Sequence, residues 1–410
     1  MKFLTMKTLH EARSELKNKF AHILPEGEIV QMLLSVGRIA AEEVRAREET
    51  PAFNRSGVDG YAVISGDTFG ATESVPCFLN IVSHANMGEA TTADIRSGEA
   101  IFVPTGAQIP ASADAVVMVE YCETLPHDTV MVNHAVAPKA NIIYKGEDCR
   151  SGAVLLERGT RITPIHIGIM AAAGITELRV YKLPACAIIS TGDELVGIGE
   201  ELPMGCIRDV NTHMIGAELT NYGCRVVKTY LVKDSLNEIQ SAIEDALIHA
   251  DFVLISGGTS VGDKDYTAQA IEAIEQGSVF AHGLALKPGK PTILAKVGGK
   301  AVIGLPGQTV SAYITYKAVV QYYLDMLCGR EDKSLAPQLA ATLTQNVHSA
   351  PGKLTFQAVK LRHEQGIFFA EPLHGKSGLI SLLLHADGLI IIGETSEGLC
   401  AGDTVDVVRL

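Results

Sequence analysis

At 410 residues the chain is too long for one compact core, and domains of roughly 100 to 200 residues predict two to four of them. Hydrophobic residues at 47% and charged residues at 20% give a globular composition and exclude a disordered chain. Lys and Arg total 34 against 47 Asp and Glu, so a net charge of -13 repels nucleic acid and anionic membranes at long range; neither is expected as a partner, although a local basic pocket remains open.

Eight cysteines (Cys77, Cys122, Cys149, Cys186, Cys206, Cys224, Cys328, Cys400) form no CxxC pair and have no histidine at zinc-finger spacing, so they read as reduced thiols. None of the 13 histidines falls in an HExxH pattern. The start of the chain has no long apolar h-region, and no later run approaches the roughly 20 apolar residues of a membrane span. A soluble, cytoplasmic protein is expected.

Thr8 and Glu11 stand at capping-box spacing ahead of LHEARSELKNKF and predict an amphipathic first helix. A second periodic segment, EIVQMLLSVGRIAAEEV, follows. From about Pro51 to Arg150 the pattern changes to short apolar runs (AIFVP, AVVMV, TVMVNHAV) between Gly, Pro, Asn and Asp clusters, a β-rich insert. Thr163 and Pro164 open a helix through IHIGIMAAA that Gly174 closes.

From Ala185 strand and helix patterns alternate: ACAIIS, a helix near HMIGAELTNY, RVVKTYLV, the helix SLNEIQSAIEDALIHA, DFVLIS, the helix TAQAIEAIEQ, then TILAKV and AVIGL. Such alternation predicts a parallel sheet with helices on both faces. Ser235 and Glu238 repeat the capping-box spacing, and Gly223 falls at a helix C-cap. A long helix VSAYITYKAVVQYYLDMLCG, a linker KSLAPQ and a small β-domain (LTFQAVKL, GIFFAEPL, GLIIIGE, DTVDVVRL) complete the chain.

In an open parallel sheet, ligands bind beyond the carboxyl ends of the strands. Those ends here carry Thr191, Gly192, Asp193 and Glu194; Lys233 and Asp234; Ser256, Gly257, Gly258, Thr259, Ser260, Gly262, Asp263 and Asp265; and Pro306 and Gly307. The glycines can turn backbone N–H groups inward as an anion nest, with Ser256, Thr259 and Ser260 adding hydroxyls. Carboxylates alone would repel an anion, so Asp193, Glu194, Asp234 and Asp265 make sense together with a divalent cation, Mg2+ above all. Lys287 and Lys290 could neutralise remaining phosphate charge.

For any single loop the competing reading is a turn with helix-capping acids, Asp265 being an N-cap candidate; four such loops at one edge favour a site. Neither GxxxxGK[ST] nor GxGxxG is present. In the β-insert, NRSGVDGYAV with Ser56 and Asp59 reads as a turn entering a strand. Thr105 in VPTGAQIP and Glu147 and Asp148 in KGED are open between structural and functional roles.

SGVDGYAV, PTGA followed by ADAVVMVE, KGED, STGDEL, SGGTSVGDKDY, LALKPGKP and GLPG followed by VSA occur in one order, as do SGLISLLLHADGLIIIGE and AGDTVDVV beyond them. Together they resemble the MoeA-type molybdopterin molybdotransferases, the family that includes the E domain of gephyrin. The resemblance covers nearly the whole chain. It implies a multidomain α/β plus β fold: an N-terminal helix (1–27) packing on a doubly wound, mostly parallel molybdopterin-binding α/β domain (181–330), an elongated linker domain (28–50 and 151–180), a β-rich insert (51–150) and a C-terminal small β-barrel (331–410).

The same resemblance implies Mg2+-dependent insertion of molybdate into adenylylated molybdopterin with release of AMP. It implies a homodimer whose site is shared between chains, with a molybdopterin adenylyltransferase and molybdoenzyme acceptors as candidate partners. Carried over by motif, Asp59, Asp148, Glu194, Asp234 and Asp265 are the catalytic set, with Glu194, Asp234 and Asp265 as Mg2+ ligands. Thr105, Ser56, Thr191, Gly192, Ser256, Gly257, Gly258, Ser260, Gly262, Lys287, Lys290, Pro306, Gly307 and Ser377 are the substrate-binding set.

This chain departs from the family pattern in three places. Ile143 stands where the family has an arginine three residues before the glycine of GED; Gln308 and Thr309 replace an Asn-Pro pair and should loosen that loop; Val210 replaces a serine between Asp209 and Asn211. A diverged paralogue that binds pterin nucleotide or cofactor without efficient turnover is therefore the alternative. A hydrolase or adenylyltransferase is a third reading, disfavoured by the insert and barrel.

Overall fold

The structure is a computed structural model that describes residues 6–20, 26–258 and 266–410. The chain forms two compact units, one of Met1–Glu28 with Tyr181–Leu410 and one of Ile29–Val180.

Helix α1 (Leu9–Phe20) starts as its sequence predicts: Thr8 N–H donates to Glu11 Oε2 at 2.8 Å and Glu11 N–H to Thr8 Oγ1 at 3.2 Å. Its apolar positions, spaced by three and four, bury Leu9, Ala12, Leu16 and Phe20. The periodic segment after it is not one helix. It forms a strand Gly27–Gln31, a single 3-10 turn Met32–Ser35 and a short strand Val44–Arg45, with Gly37 in the left-handed region at φ 79° between them.

In the unit Ile29–Val180, strands β1 (Gly60–Val63), β2 (Cys77–His84), β3 (Glu99–Val103), β4 (Ala115–Met118), β5 (Cys122–Leu125) and β6 (Thr129–Val132) make one sheet in the order β4-β1-β3-β2-β6-β5. Alternation along β1 sends Tyr61 and Val63 to one apolar cluster and Ala62 to another, so both faces are covered. A third cluster, with Val44, Leu156 and Met170, surrounds α2 (Pro164–Ala172), where Thr163 N–H donates to His166 Nδ1 at 3.1 Å. Gly174, at φ 73°, closes that helix with its N–H on Ala171 O.

In the other unit, β7 (Ala185–Thr191), α3 (Asn211–Asn221), β8 (Arg225–Val232), α4 (Leu236–His249), β9 (Phe252–Ser256), α5 (Tyr266–Ala273), β10 (Gly277–His282), β11 (Leu286–Lys287), β12 (Ile293–Val297) and β13 (Lys300–Leu305) follow in turn. The sheet runs β8-β7-β9-β13-β12-β10. Strands β8, β7, β9 and β13 are parallel, while β12 is antiparallel to both its neighbours because Gly298 and Gly299 make a two-residue hairpin turn into β13. Along β7, Cys186 and Ile188 face the cluster with α1 and α3, and Ala187 and Ile189 face the cluster with α4 and α5. Burial on both faces is why these strands read as unbroken apolar runs.

Gly223, at φ 85°, ends α3 as predicted. Ser235 is the N-cap of α4, but its side chain makes no cap bond; Glu238 instead accepts the Lys233 N–H at 3.1 Å, so the second capping box does not form. The predicted long helix is α6 (Thr309–Thr315), one π turn (Tyr316–Val320) and α7 (Gln321–Leu327) in succession.

Strands β14 (Leu339–Leu343), β15 (Leu354–Glu364), β16 (Ile367–Pro372), β17 (Gly388–Ile392) and β18 (Thr404–Arg409) follow the order β15-β16-β14-β18-β17 and close back on β15, a five-stranded barrel. Short β11 adds to the start of β15 with Lys287 opposite Thr355, which fixes the lysine beside the barrel. Among the described residues no helix is long and apolar enough to cross a membrane.

Candidate active site

The carboxyl ends of β7, β9 and β13 meet closely, and at Gly257 the backbone contact leaves no room for a side chain. Gly257 has φ 99°, and a Cβ on it would stand 2.1 Å from the Thr191 carbonyl oxygen; one on Gly258 would stand 2.6 Å from Thr267 Oγ1. Gly307 passes the same point, with Gly257 Cα 3.6 Å from where its own Cβ would be.

Asn211, at the start of α3, joins two of these ends. Its Nδ2 donates to Ser256 Oγ and to Gly307 O, both at 2.8 Å. Asp209 fixes the approach, accepting Ser190 Oγ–H at 3.0 Å and Thr212 N–H at 3.1 Å. Of the Asp209-Val210-Asn211 segment, the two polar residues thus brace the site from within, and Val210 between them is exposed.

Thr191 Oγ1 donates to Asp234 Oδ1 at 2.6 Å and Lys233 Nζ to Asp193 O at 3.1 Å, tying the ends of β7 and β8 together. Asp234 is half-buried, while Asp193 and Glu194 are exposed. Two carboxylates from neighbouring strand ends, both reachable by water, fit Mg2+, which keeps several waters and takes one or two carboxylates. Among the described residues no three His, Cys, Asp or Glu side chains converge on a metal position. The remaining expected ligand, Asp265, and the expected residues Ser260 and Gly262 lie outside the described residues.

Lys287 and Ser377 come together across the join between the α/β domain and the barrel, on a cavity of about 290 Å³ that Gln357, His348, His374 and Ile314 also line. Lys290 is exposed and is not among the lining residues. Ser377 Oγ–H donates to Gln308 Oε1, and Val310 N–H donates to Ser377 O at 3.0 Å. Gln308 thereby joins the PGQT turn to the barrel. Pro306 is buried and Gly307 exposed at that turn.

In the unit Ile29–Val180, Asp59 directly precedes β1, so the VDGYA stretch is a turn entering a strand as read. Thr105 donates its N–H at 2.6 Å and its hydroxyl at 2.9 Å to Asp59 Oδ1. Those bonds, the backbone one foremost, hold the Asp59 carboxyl below the ordinary carboxylate range. Ser56 is fully buried and its hydroxyl closes a turn on the Val58 carbonyl, so this expected substrate contact serves the backbone. Asp148 is exposed.

Sequence reading named Asn211 only as part of a motif, and its bridging role came from the fold. Its position at the start of a helix following a strand end was the one available signal.

Three domain families match the chain in order: "MoeA N-terminal region (domain I and II)" over residues 7–174, "Probable molybdopterin binding domain" over residues 187–326 and "MoeA C-terminal region (domain IV)" over residues 340–410. The chain is similar to the molybdopterin molybdenumtransferase of Haemophilus influenzae, at 32% identity over 404 residues, covering 98% of each. It is likewise similar to the Staphylococcus epidermidis protein of that name, at 32% over 377 residues, covering 91% of this chain and 89% of the relative. Among solved structures, the molybdopterin biosynthesis MoeA protein from Pyrococcus horikoshii OT3 matches with a TM-score of 0.85 and 29% identity over 99% of this chain and 100% of that one.

Proposed function

The chain belongs to the MoeA family and is a transferase of molybdenum cofactor biosynthesis, and from that premise we propose that it inserts molybdate into adenylylated molybdopterin with release of AMP, dependent on Mg2+. The observation that carries the reading is the braced crest of Thr191, Gly257 and Gly307 at the carboxyl ends of the strands, beside a cavity lined by Lys287 and Ser377. The Gly257 N–H is held by the Leu305 carbonyl, so the Gly258 and Gly307 N–H groups and Lys287 are the donors for anionic oxygens, and Thr191 orients Asp234 through its short hydrogen bond. Glu194, Asp234 and Asp265 would hold Mg2+, which supplies positive charge against the phosphate oxygens. The protein's part is therefore positioning and electrostatic stabilisation.

Further proposals are that it works in the cytoplasm, as a homodimer with the site shared between chains, and hands its product to molybdoenzyme acceptors after receiving substrate from an adenylyltransferase. Ile143 in place of an arginine supports a second reading, a protein that binds the pterin nucleotide without efficient turnover. Purified protein, adenylylated molybdopterin, molybdate and Mg2+ separate the two: stoichiometric AMP release that stops without molybdate supports the transferase, and tight binding with no AMP released supports the binding protein.

A further inference from the structure

Position 143 raises a question of charge. Without an arginine there, a site for oxyanions in this part of the chain needs another cation. Lys145 and Arg150 lie in the same loop, but Lys145 Nζ is paired with Glu49 at 2.9 Å. Arg150 packs its stem on the loop's own glycine, with Cγ 3.6 Å from the position a Cβ would take on Gly146.

Strand register points to a different residue. Ile143 lies directly opposite Arg55 in an antiparallel pair, and Arg55 on its other side lies opposite Gln108. Directly opposed residues share one face, their Cβ atoms roughly 4.5–5.5 Å apart. Arg55 therefore projects from the same face as residue 143. The neighbouring pair, Ser56 opposite Ile142, turns to the other face, where both are buried. A long, flexible stem lets an arginine at 55 bring its guanidinium to the space that a side chain at 143 would serve.

Among the described residues the Arg55 side chain has no hydrogen-bond or ion-pair partner. Its Nε is buried without a hydrogen bond, and among the described residues no carboxylate or carbonyl is bonded to its guanidinium. The nearest acid in sequence, Asp59, has its Oδ1 taken by Thr105. A guanidinium stays charged at every physiological pH and offers a planar fork of N–H donors. The residue as a whole is only partly buried.

We infer that Arg55 is an oxyanion-binding residue of this chain and supplies, from the opposite strand, the cationic fork that Ile143 cannot. The ligand is a tetrahedral oxyanion, either the phosphate of the nucleotide or molybdate, and this assignment rests on the function proposed above.

The test compares wild type with Arg55→Gln, Arg55→Lys, Arg150→Gln and the double variant Arg55→Gln/Ile143→Arg. Each is assayed for AMP release, titrated separately with AMP and with molybdate, and followed through thermal unfolding. Arg55→Gln is expected to lower kcat/KM roughly tenfold or more and to weaken whichever anion Arg55 holds, with unfolding unchanged. Ile143→Arg in that background restores both, and Arg150→Gln behaves as wild type. Should Arg55→Gln fail to fold, Arg55→Lys decides, since it keeps the charge and loses the fork: weakened anion binding supports the assignment and wild-type binding overturns it. Arg55→Gln with wild-type affinity for both anions, a double variant that regains nothing, or the loss appearing in Arg150→Gln would each overturn it. If wild type releases no AMP, the transferase reading fails while the two titrations still decide the role of Arg55.

Discussion

Asp59 illustrates how a surface carboxylate can be tuned without burial. Its low pKa comes from the Thr105 N–H first and the Thr105 hydroxyl second, both acting on the charged form. A carboxyl depressed in the folded state stabilises the fold above its unfolded value, about 3.9, and that contribution disappears as pH falls through the folded value. Thr105→Val keeps the N–H and removes the hydroxyl. Its Asp59 resonance, followed by NMR against pH, should titrate at a higher pH than in wild type but still below an ordinary aspartate. An unchanged midpoint would assign the whole effect to the backbone bond.

Among the elements, α1 shows most directly how sequence spacing becomes packing. Phe20 is fully buried and meets the edge of the Tyr323 ring at 5.5 Å, and Tyr323 in turn meets Phe252 of β9 at 5.4 Å. Phe20→Ala should cost about 3–5 kcal/mol in urea unfolding, because the aromatic stack leaves little freedom to close the cavity. A loss below about 1 kcal/mol would mean that α1 is not integral to the α/β core.

The same helix shows what sequence can and cannot specify. Thr8 with Glu11 and Ser235 with Glu238 share one spacing, yet only the first pair forms the reciprocal bonds. Spacing fixes which groups can meet; the direction in which the chain enters the helix decides whether they do. Strand β12 was legible as a strand from its apolar run, but its reversed direction depended on the Gly298-Gly299 turn. The strand-end loops were legible from periodicity. The bonds of Asn211 to Ser256 and Gly307 were not, since they join residues 45 and 96 positions apart. Likewise Arg55 lay within a quoted motif, and only strand register set it opposite Ile143.

For the whole molecule, the proposed shared site makes a prediction that one chain cannot satisfy alone. Asp59→Ala and Asp234→Ala fall in different compact units. If each site draws on both chains of a symmetric dimer, mixing the two inactive variants, then dissociating and reassociating them, yields some dimers with one intact site. The mixture should regain AMP release that neither variant has alone. Activity that stays absent, with mixed dimers demonstrated by mass, would confine the site to a single chain.

The central claim is that the crest of Gly257 and Gly307 and the cavity of Lys287 and Ser377 bind the two parts of one substrate pair. The most direct measurement is a crystal structure of the protein soaked with AMP and molybdate, with molybdenum located by anomalous scattering. The account predicts the AMP phosphate against the Gly258 and Gly307 backbone and molybdenum in the cavity beside Lys287 and Ser377. Molybdenum bound elsewhere, with that cavity and crest empty under saturating ligand, would contradict it.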